Sequence, residues 1–227
     1  MTSTNDGNKV LIIGGHGNVA LLTAPRLVEK GASVTSLIRD PKQSSDIESA
    51  GATPVVRDIT EVSPESWDEL LAEYDTVIWS AGAGGKGGAE ATYAIDRDAA
   101  LEVIASLRRL GDKAPRLLLV SFIGSRENLF SEDDGMYDYG EAKRVVDEKL
   151  DEEDSFEHIV IAPTMLTNED VDGFEEIQDE KAFARDKTTS RKLVAAVLTE
   201  LATRESWPKI KRFAFIDGDK AVSEIPA

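Results

Sequence analysis

The chain has no cysteine in its 227 residues, which excludes disulfides, thiolate metal sites and a cysteine nucleophile. It has two histidines, His16 and His158, too few and too far apart for the usual zinc sites, so no metal site is expected. It also lacks EF-hand spacing and a Gly-x-Ser-x-Gly elbow, which argues against a calcium hand and a serine hydrolase. No apolar run approaches the roughly 18 residues that cross a bilayer. The stretch from Met1 to Asn8 is polar, with no basic n-region or apolar h-region, so no signal peptide is expected and a cytoplasmic location fits.

Acid is what the chain has in excess. Its 43 acidic residues face 26 basic ones, for a net charge of -17. Between Glu132 and Glu157 there are twelve acidic residues against three basic, and between Glu169 and Glu180 seven against none. Such a surface repels nucleic acid and anionic membranes, so neither is expected as a partner. Runs of this kind ordinarily form a solvated face. The partner to look for is a small molecule.

Short β-branched runs alternate with helix-period segments. Strands are expected at Val10–Ile13, Ser33–Ile38, Thr53–Val56, Thr76–Ser80, Arg116–Ser121, His158–Ala162 and Arg212–Ile216. Between the fourth and fifth strands Ala100, Val103, Ile104 and Leu107 repeat at helical spacing. Near the C-terminus Val194, Val197, Leu198 and Leu201 do the same, with Ser190 as the expected N-cap. Strands that are apolar throughout belong to a parallel sheet covered on both faces. One doubly wound α/β domain over residues 1–227 follows, with helices on both faces. Two stretches break the rhythm: a flexible glycine loop, Gly82 to Gly88, and an acidic segment, Asn168 to Lys187. The second is expected to lie in a small substrate-covering insertion over 165–190 near the C-terminus. Trp67, Trp79, Trp207 and His158 are expected to be structural.

The first strand runs directly into Gly14, Gly15, His16 and Gly17, and then into the amphipathic stretch from Val19 to Lys30. Strand, glycine loop and helix in that order form a dinucleotide site. Missing Cβ atoms let the backbone approach a pyrophosphate, and the helix start at Asn18 and Val19 offers it free N–H groups. His16 lies in the same loop, within reach of a phosphate. At the end of the second strand Arg39 suits the 2′-phosphate of NADP. Asp40, twenty residues after Ala20, is the residue NAD would use on its ribose, so NADP is favoured and NAD is the alternative.

A second constellation follows the fifth strand. Tyr139 and Lys143 are four apart, which puts them on one helical face. A cation beside a phenol favours phenolate and makes the tyrosine a proton donor or acceptor near neutrality. Ser121, at the strand end, is placed to hold a substrate oxygen, with Ser125 as its competitor.

With these residues in place, the chain resembles the short-chain dehydrogenase/reductases, specifically their atypical NAD(P)-binding branch, NmrA-like or epimerase/dehydratase-like. The likeness runs from Lys9 to about Asp217 and implies a Rossmann fold. It further implies that Arg57, Asp58 and Ile59 border the adenine, that Ser80, Ala81 and Gly82 lie over its ribose and pyrophosphate, and that Ala162, Pro163 and Thr164 lie beside the nicotinamide. Lys143 would also hold the nicotinamide ribose. The chain departs from the family pattern in having Ala162 where arginine is usual and Asp96 where an asparagine is often found. About 64 residues follow Pro163, fewer than the nucleotide-sugar members carry. The expected activity is NADP-dependent hydride transfer to or from a small carbonyl or alcohol, with Ser121, Tyr139 and Lys143 as catalytic residues. The alternatives are a non-catalytic NADP(H) sensor and a sugar-nucleotide-type epimerase or dehydratase.

Overall fold

The computed structural model describes residues 8–84, 86–180 and 186–226. Residues 1–7, Gly85 of the glycine loop, 181–185 of the expected insertion and Ala227 lie outside the described residues. The chain runs β1 (Lys9–Ile13), α1 (Asn18–Glu29), β2 (Ser33–Ile38), α2 (Ser44–Ser49), β3 (Thr53–Val56), α3 (Pro64–Leu71) and β4 (Thr76–Trp79). After these come α4 (Gly88–Thr92), a π-helical stretch (Tyr93–Ala99), α5 (Ala100–Leu110), β5 (Arg116–Val120), α6 (Tyr137–Asp151) and β6 (His158–Ala162). The chain then forms β7 (Met165–Thr167), β8 (Gly173–Glu176), β9 (Thr188–Ser190), α7 (Arg191–Thr203), β10 (Arg212–Asp217) and β11 (Lys220–Ala221).

The main sheet has the order β11-β8-β10-β6-β5-β4-β1-β2-β3. From β3 to β10 every pairing is parallel. Strand order reverses between β1 and β4, and open α/β sheets bind ligands at such a point. The seven strands expected from the sequence all appear, with ends shifted by one residue at most. The central strands alternate between two buried faces, whereas β3 at the sheet edge is only partly covered. Val10 and Ile12 of β1, Ile78 of β4 and Leu118 of β5 pack with Leu27 of α1 and with Val194 and Leu198 of α7. Leu11, Ile13, Val77 and Leu119 point the other way, onto Trp67 of α3, Val103 and Leu107 of α5, and Val146 and Leu150 of α6. Burial on both faces is why these strands read as unbroken apolar runs. Ser190 caps α7 as expected, its hydroxyl accepting the Leu193 N–H at 2.9 Å.

The segment 165–190 is woven into this body more closely than the sequence suggested. β8 extends the main sheet antiparallel to β10, and β7 pairs with β9 in a small parallel sheet. These strands are three or four residues long and β8 is acidic, so they carry no periodic signal of their own. The glycine loop ends at Gly88, which opens α4. No helix among the described residues is long and apolar enough to cross a membrane.

Behind the turn after α6, Glu153 is 3% exposed. Its carboxylate accepts the Arg108 Nη2–H at 2.6 Å, the Ser155 hydroxyl at 2.6 Å and the Ser155 N–H at 2.8 Å. Burial pushes the group up. The Ser155 hydroxyl and amide and then Arg108 outweigh it, holding the carboxyl at about 2 against an ordinary 4.5. A carboxylate held low in the fold stabilises it above its ordinary value and loses that contribution as pH falls. Glu153→Gln should therefore cost about 1–3 kcal/mol at pH 7. The gap from wild type should close between pH 4.5 and about 2, measured by denaturant unfolding across that range.

Candidate active site

The loops leaving β1, β2, β3 and β4 converge at the carboxyl edge of the sheet. Gly15 donates its N–H to Leu37 O at 2.9 Å, Arg57 to Ile38 O at 2.9 Å, and Ser80 to Ile13 O at 2.9 Å, so each loop starts locked to the neighbouring strand. Gly14 has φ +83°, and a Cβ there would meet the Ala81 backbone at 2.6 Å. A Cβ on Gly15 would come within 2.4 Å of Ser36 Cβ. No larger residue fits between these backbones without displacing one of them.

These loops enclose a cavity of about 610 Å³, lined among others by Gly14, His16, Gly17, Arg39, Asp58, Ile59, Ser80, Ala81 and Gly82. The expected phosphate-loop, adenine and ribose residues are thus brought together. Gly15 and Val19 are buried just behind the lining, and Asn18 is exposed in the first turn of α1. Gly17 is the N-cap of α1, with no capping side chain and no acid in the first turn. The N–H groups of that turn and the positive helix end are left for a bound anion, so the residues present fit a dinucleotide pyrophosphate. His16 is held over the loop by Asp46, Nε2 to Oδ2 2.7 Å. Asp40 turns one oxygen back to accept the Lys42 N–H at 3.0 Å, capping the turn at Pro41–Gln43.

A second cavity, of about 770 Å³, opens beyond the glycine loop, and Tyr139 and Thr164 lie in its wall. Tyr139 stacks on Phe122, with ring centroids 5.5 Å apart and planes at 21°. One turn below, Lys143 is 3% exposed, with its Nζ 5.7 Å from the Tyr139 ring centroid. Its ammonium donates to Val120 O at 3.4 Å and lies 3.2 Å from Asp96 Oδ1. Asp96 is fully buried on the π-helical stretch, and its other oxygen accepts the Ala83 N–H at 2.8 Å. From this stretch Asp96 faces α6, and π-helical turns are frequent at functional sites. One carboxylate therefore ties the lysine to the glycine loop. The sequence marked Asp96 only as a departure from a family asparagine; its direct pairing with Lys143 emerges from the fold.

Burial pushes the Tyr139 phenol above its ordinary range. Lys143 pulls it down, and Asp96 and Asp147 push it further up. Burial also works against the Lys143 charge, but Asp96, Tyr139 and Asp147 outweigh it and hold the ammonium above its ordinary value.

Ser121 is placed differently from the expectation. It is 4% exposed, absent from the described cavity lining, and donates its hydroxyl proton to Asp147 Oδ2 at 2.8 Å. Ser125, its competitor, donates to the same oxygen. Asp147 also accepts from Arg212 Nη1 at 2.8 Å. Arg212 in turn bonds Phe122 O at 2.8 Å and grips Glu180, Nε to Oε1 at 2.6 Å. Glu180 Oε2 accepts the Gly124 N–H at 3.1 Å. This buried network, missed in the sequence apart from the two serines, clamps the loop that carries Phe122. One signal was available: Asp147 stands four after Lys143 and eight after Tyr139, a charge on the face that should be apolar. Ala162 and Pro163 are buried at the end of β6, where Pro163 O accepts the Ile123 N–H at 2.9 Å. Thr164 N–H donates to Thr189 Oγ1 at 3.0 Å.

Residues 14–205 match the family model described as NAD(P)H-binding. A UPF0659 protein of Schizosaccharomyces pombe is 39% identical over 119 residues, 52% of this chain and 47% of that one, so the match spans about half of that relative. The uncharacterized sugar epimerase YhfK of Bacillus subtilis is 29% identical over 222 residues, covering 95% of this chain and 97% of that protein. A solved Bacillus halodurans structure, named as a candidate NAD-dependent epimerase/dehydratase, superposes with a TM-score of 0.83 at 26% identity, over 96% of this chain and 98% of that one. The chain belongs to the NAD(P)H-binding family, on the atypical, epimerase/dehydratase-like branch of the short-chain dehydrogenase/reductases.

Proposed function

We propose that this protein is an NADP-dependent reductase of small carbonyl compounds, with Tyr139 as the proton donor. The observation that carries the reading is Tyr139 in the wall of the 770 Å³ cavity, one helical turn from a buried lysine. A bound reduced nicotinamide would supply the hydride that the carbonyl carbon takes up. Tyr139 Oη then gives its proton to the carbonyl oxygen, which completes the alcohol without leaving a buried alkoxide. A phenol held above its ordinary range keeps that proton at neutral pH, which suits donation and hence the reductive direction.

Lys143 keeps a positive charge beside the developing negative oxygen. Asp96 limits how far that charge lowers the tyrosine, and it anchors the lysine against the glycine loop. Ser121, expected to orient the substrate oxygen, has its proton committed to Asp147; in this reading it positions the Phe122 loop. Arg39, exposed at the end of β2, supports NADP because a guanidinium there can pair with the 2′-phosphate. Asp40's partial commitment to its own turn points the same way.

Three outcomes test this. Tyr139→Phe should lower kcat for carbonyl reduction by about 10²- to 10⁴-fold, while NADPH affinity measured by fluorescence titration stays within about twofold. Arg39→Asp should weaken NADPH by roughly ten- to a hundredfold, the size of a lost charge-assisted contact. NADH should change little; equal losses for both would end the 2′-phosphate assignment. Asp96→Asn removes a charge that raises Tyr139, so the falling alkaline limb of the reductive pH–rate profile should move to lower pH. The same variant leaves Lys143 buried without its carboxylate and should lose about 3–5 kcal/mol of stability.

A further inference from the structure

The wall of the substrate-side cavity differs in chemistry from that of the cofactor side. Phe122, Ile123, Leu129, Phe130, Met165 and Leu166 give it large apolar side chains, with the ring of Tyr139 set among them. Phe130 lies 6.0 Å from Phe122, with planes at 46°, so three aromatic rings line one continuous surface. Among the described lining residues the one charged group is Asp138, a carboxylate that accepts the Tyr93 hydroxyl proton at 2.9 Å. Asp138 also sits in the first turn of α6, where it offsets the positive end of that helix. Arg39, Arg57 and Lys86 instead line the cofactor cavity.

We propose that this cavity takes an uncharged, ring-bearing carbonyl compound, an aryl ketone, aryl aldehyde or quinone, rather than a nucleotide sugar; the assignment rests on the reductase reading. A volume of about 770 Å³ suits a ligand of one to three rings. A flat ring can stack on Phe122 and Tyr139, adding roughly 0.5–1.5 kcal/mol per aromatic pair to its area burial. A diphosphate would be stripped of water against leucine, isoleucine and methionine beside an existing carboxylate, which is strongly unfavourable without paired cations. The proposal departs from what two relatives are named for. The reaction balances with the chemistry already given: one hydride adds to the carbonyl carbon, or to one end of the conjugated quinone system, and Tyr139 supplies a proton to oxygen. A ketone or aldehyde becomes the alcohol, and a quinone, with the same one hydride and one proton, becomes the hydroquinone once the ring carbon releases a proton to solvent and the second oxygen takes one up.

The test is isothermal titration calorimetry on the full chain with saturating NADP⁺, so that the cofactor cavity is filled. Three probes are compared: 2-acetylnaphthalene, its 6-carboxylate, and UDP-glucose. The neutral ketone should bind at least tenfold more tightly than the carboxylate, and UDP-glucose more weakly still. Phe130→Ala should weaken the ketone at least fivefold. Met165→Asp, at a position 70% exposed and so without risk to the core, should do the same. UDP-glucose or the carboxylate binding as tightly as the ketone, or both variants binding it unchanged, would overturn the proposal. Turnover separates this assignment from the reading beneath it. Ketone binding without NADPH consumption would defeat the reductase reading and leave the cavity assignment standing. NADPH consumed with an anionic carbonyl in preference to the naphthyl ketone would do the reverse.

Discussion

Two opposite charges on the buried face of one helix organise this molecule's working end. Lys143 and Asp147 follow Tyr139 at intervals of four along α6, and neither is more than 3% exposed. Taking an ion out of water costs several kcal/mol even after relaxation, so each charge is tolerated only with partners in good geometry. Lys143 finds Asp96 and the Val120 carbonyl. Asp147 finds Ser121, Ser125 and Arg212. Those partners come from the π-helical stretch, the end of β5, the loop after it and β10. Satisfying two charges therefore fixes four separate parts of the chain around one tyrosine.

The two cavities divide the chemistry between them. On one side, free N–H groups at the start of α1 and the basic side chains Arg39, Arg57 and Lys86 suit an anionic nucleotide. On the other, aromatic and aliphatic side chains line the cavity assigned above to the substrate of the proposed reductase. The glycine loop borders both, and through Ala83 and Asp96 it is tied to the lysine one helical turn from Tyr139. In a protein with a net charge of -17, three cations gathered around one cavity stand out against a surface that as a whole repels anions.

Much of this was open to reading in the linear chain. The central parallel strands declare themselves because burial on both faces demands a short unbroken apolar run. The phosphate loop does so because only glycine tolerates the approach of Ala81 and Ser36 to Gly14 and Gly15. Tyr139 and Lys143 are close in sequence, and helical geometry alone puts them on one face. Other features left no such trace. Arg212 stands 65 residues from Asp147, and nothing in the local pattern of β10 distinguishes it from an ordinary strand-end cation. Ser121 reads the same whether its hydroxyl faces a substrate or a buried carboxylate. β7, β8, β9 and β11 are too short to show a period.

What the sequence by itself determined is therefore what depends on neighbours a few residues apart: strand, turn and helix identities, the doubly wound order that follows from them, and the spacing of tyrosine and lysine. The tertiary structure alone decided where each charge finds its counter-charge, that Asp96 answers Lys143, and that Ser121 turns inward. The reason is physical. Local conformation follows from sterics and burial along a few residues, whereas a buried ion is stabilised by whichever distant groups the completed fold brings within about 3 Å of it.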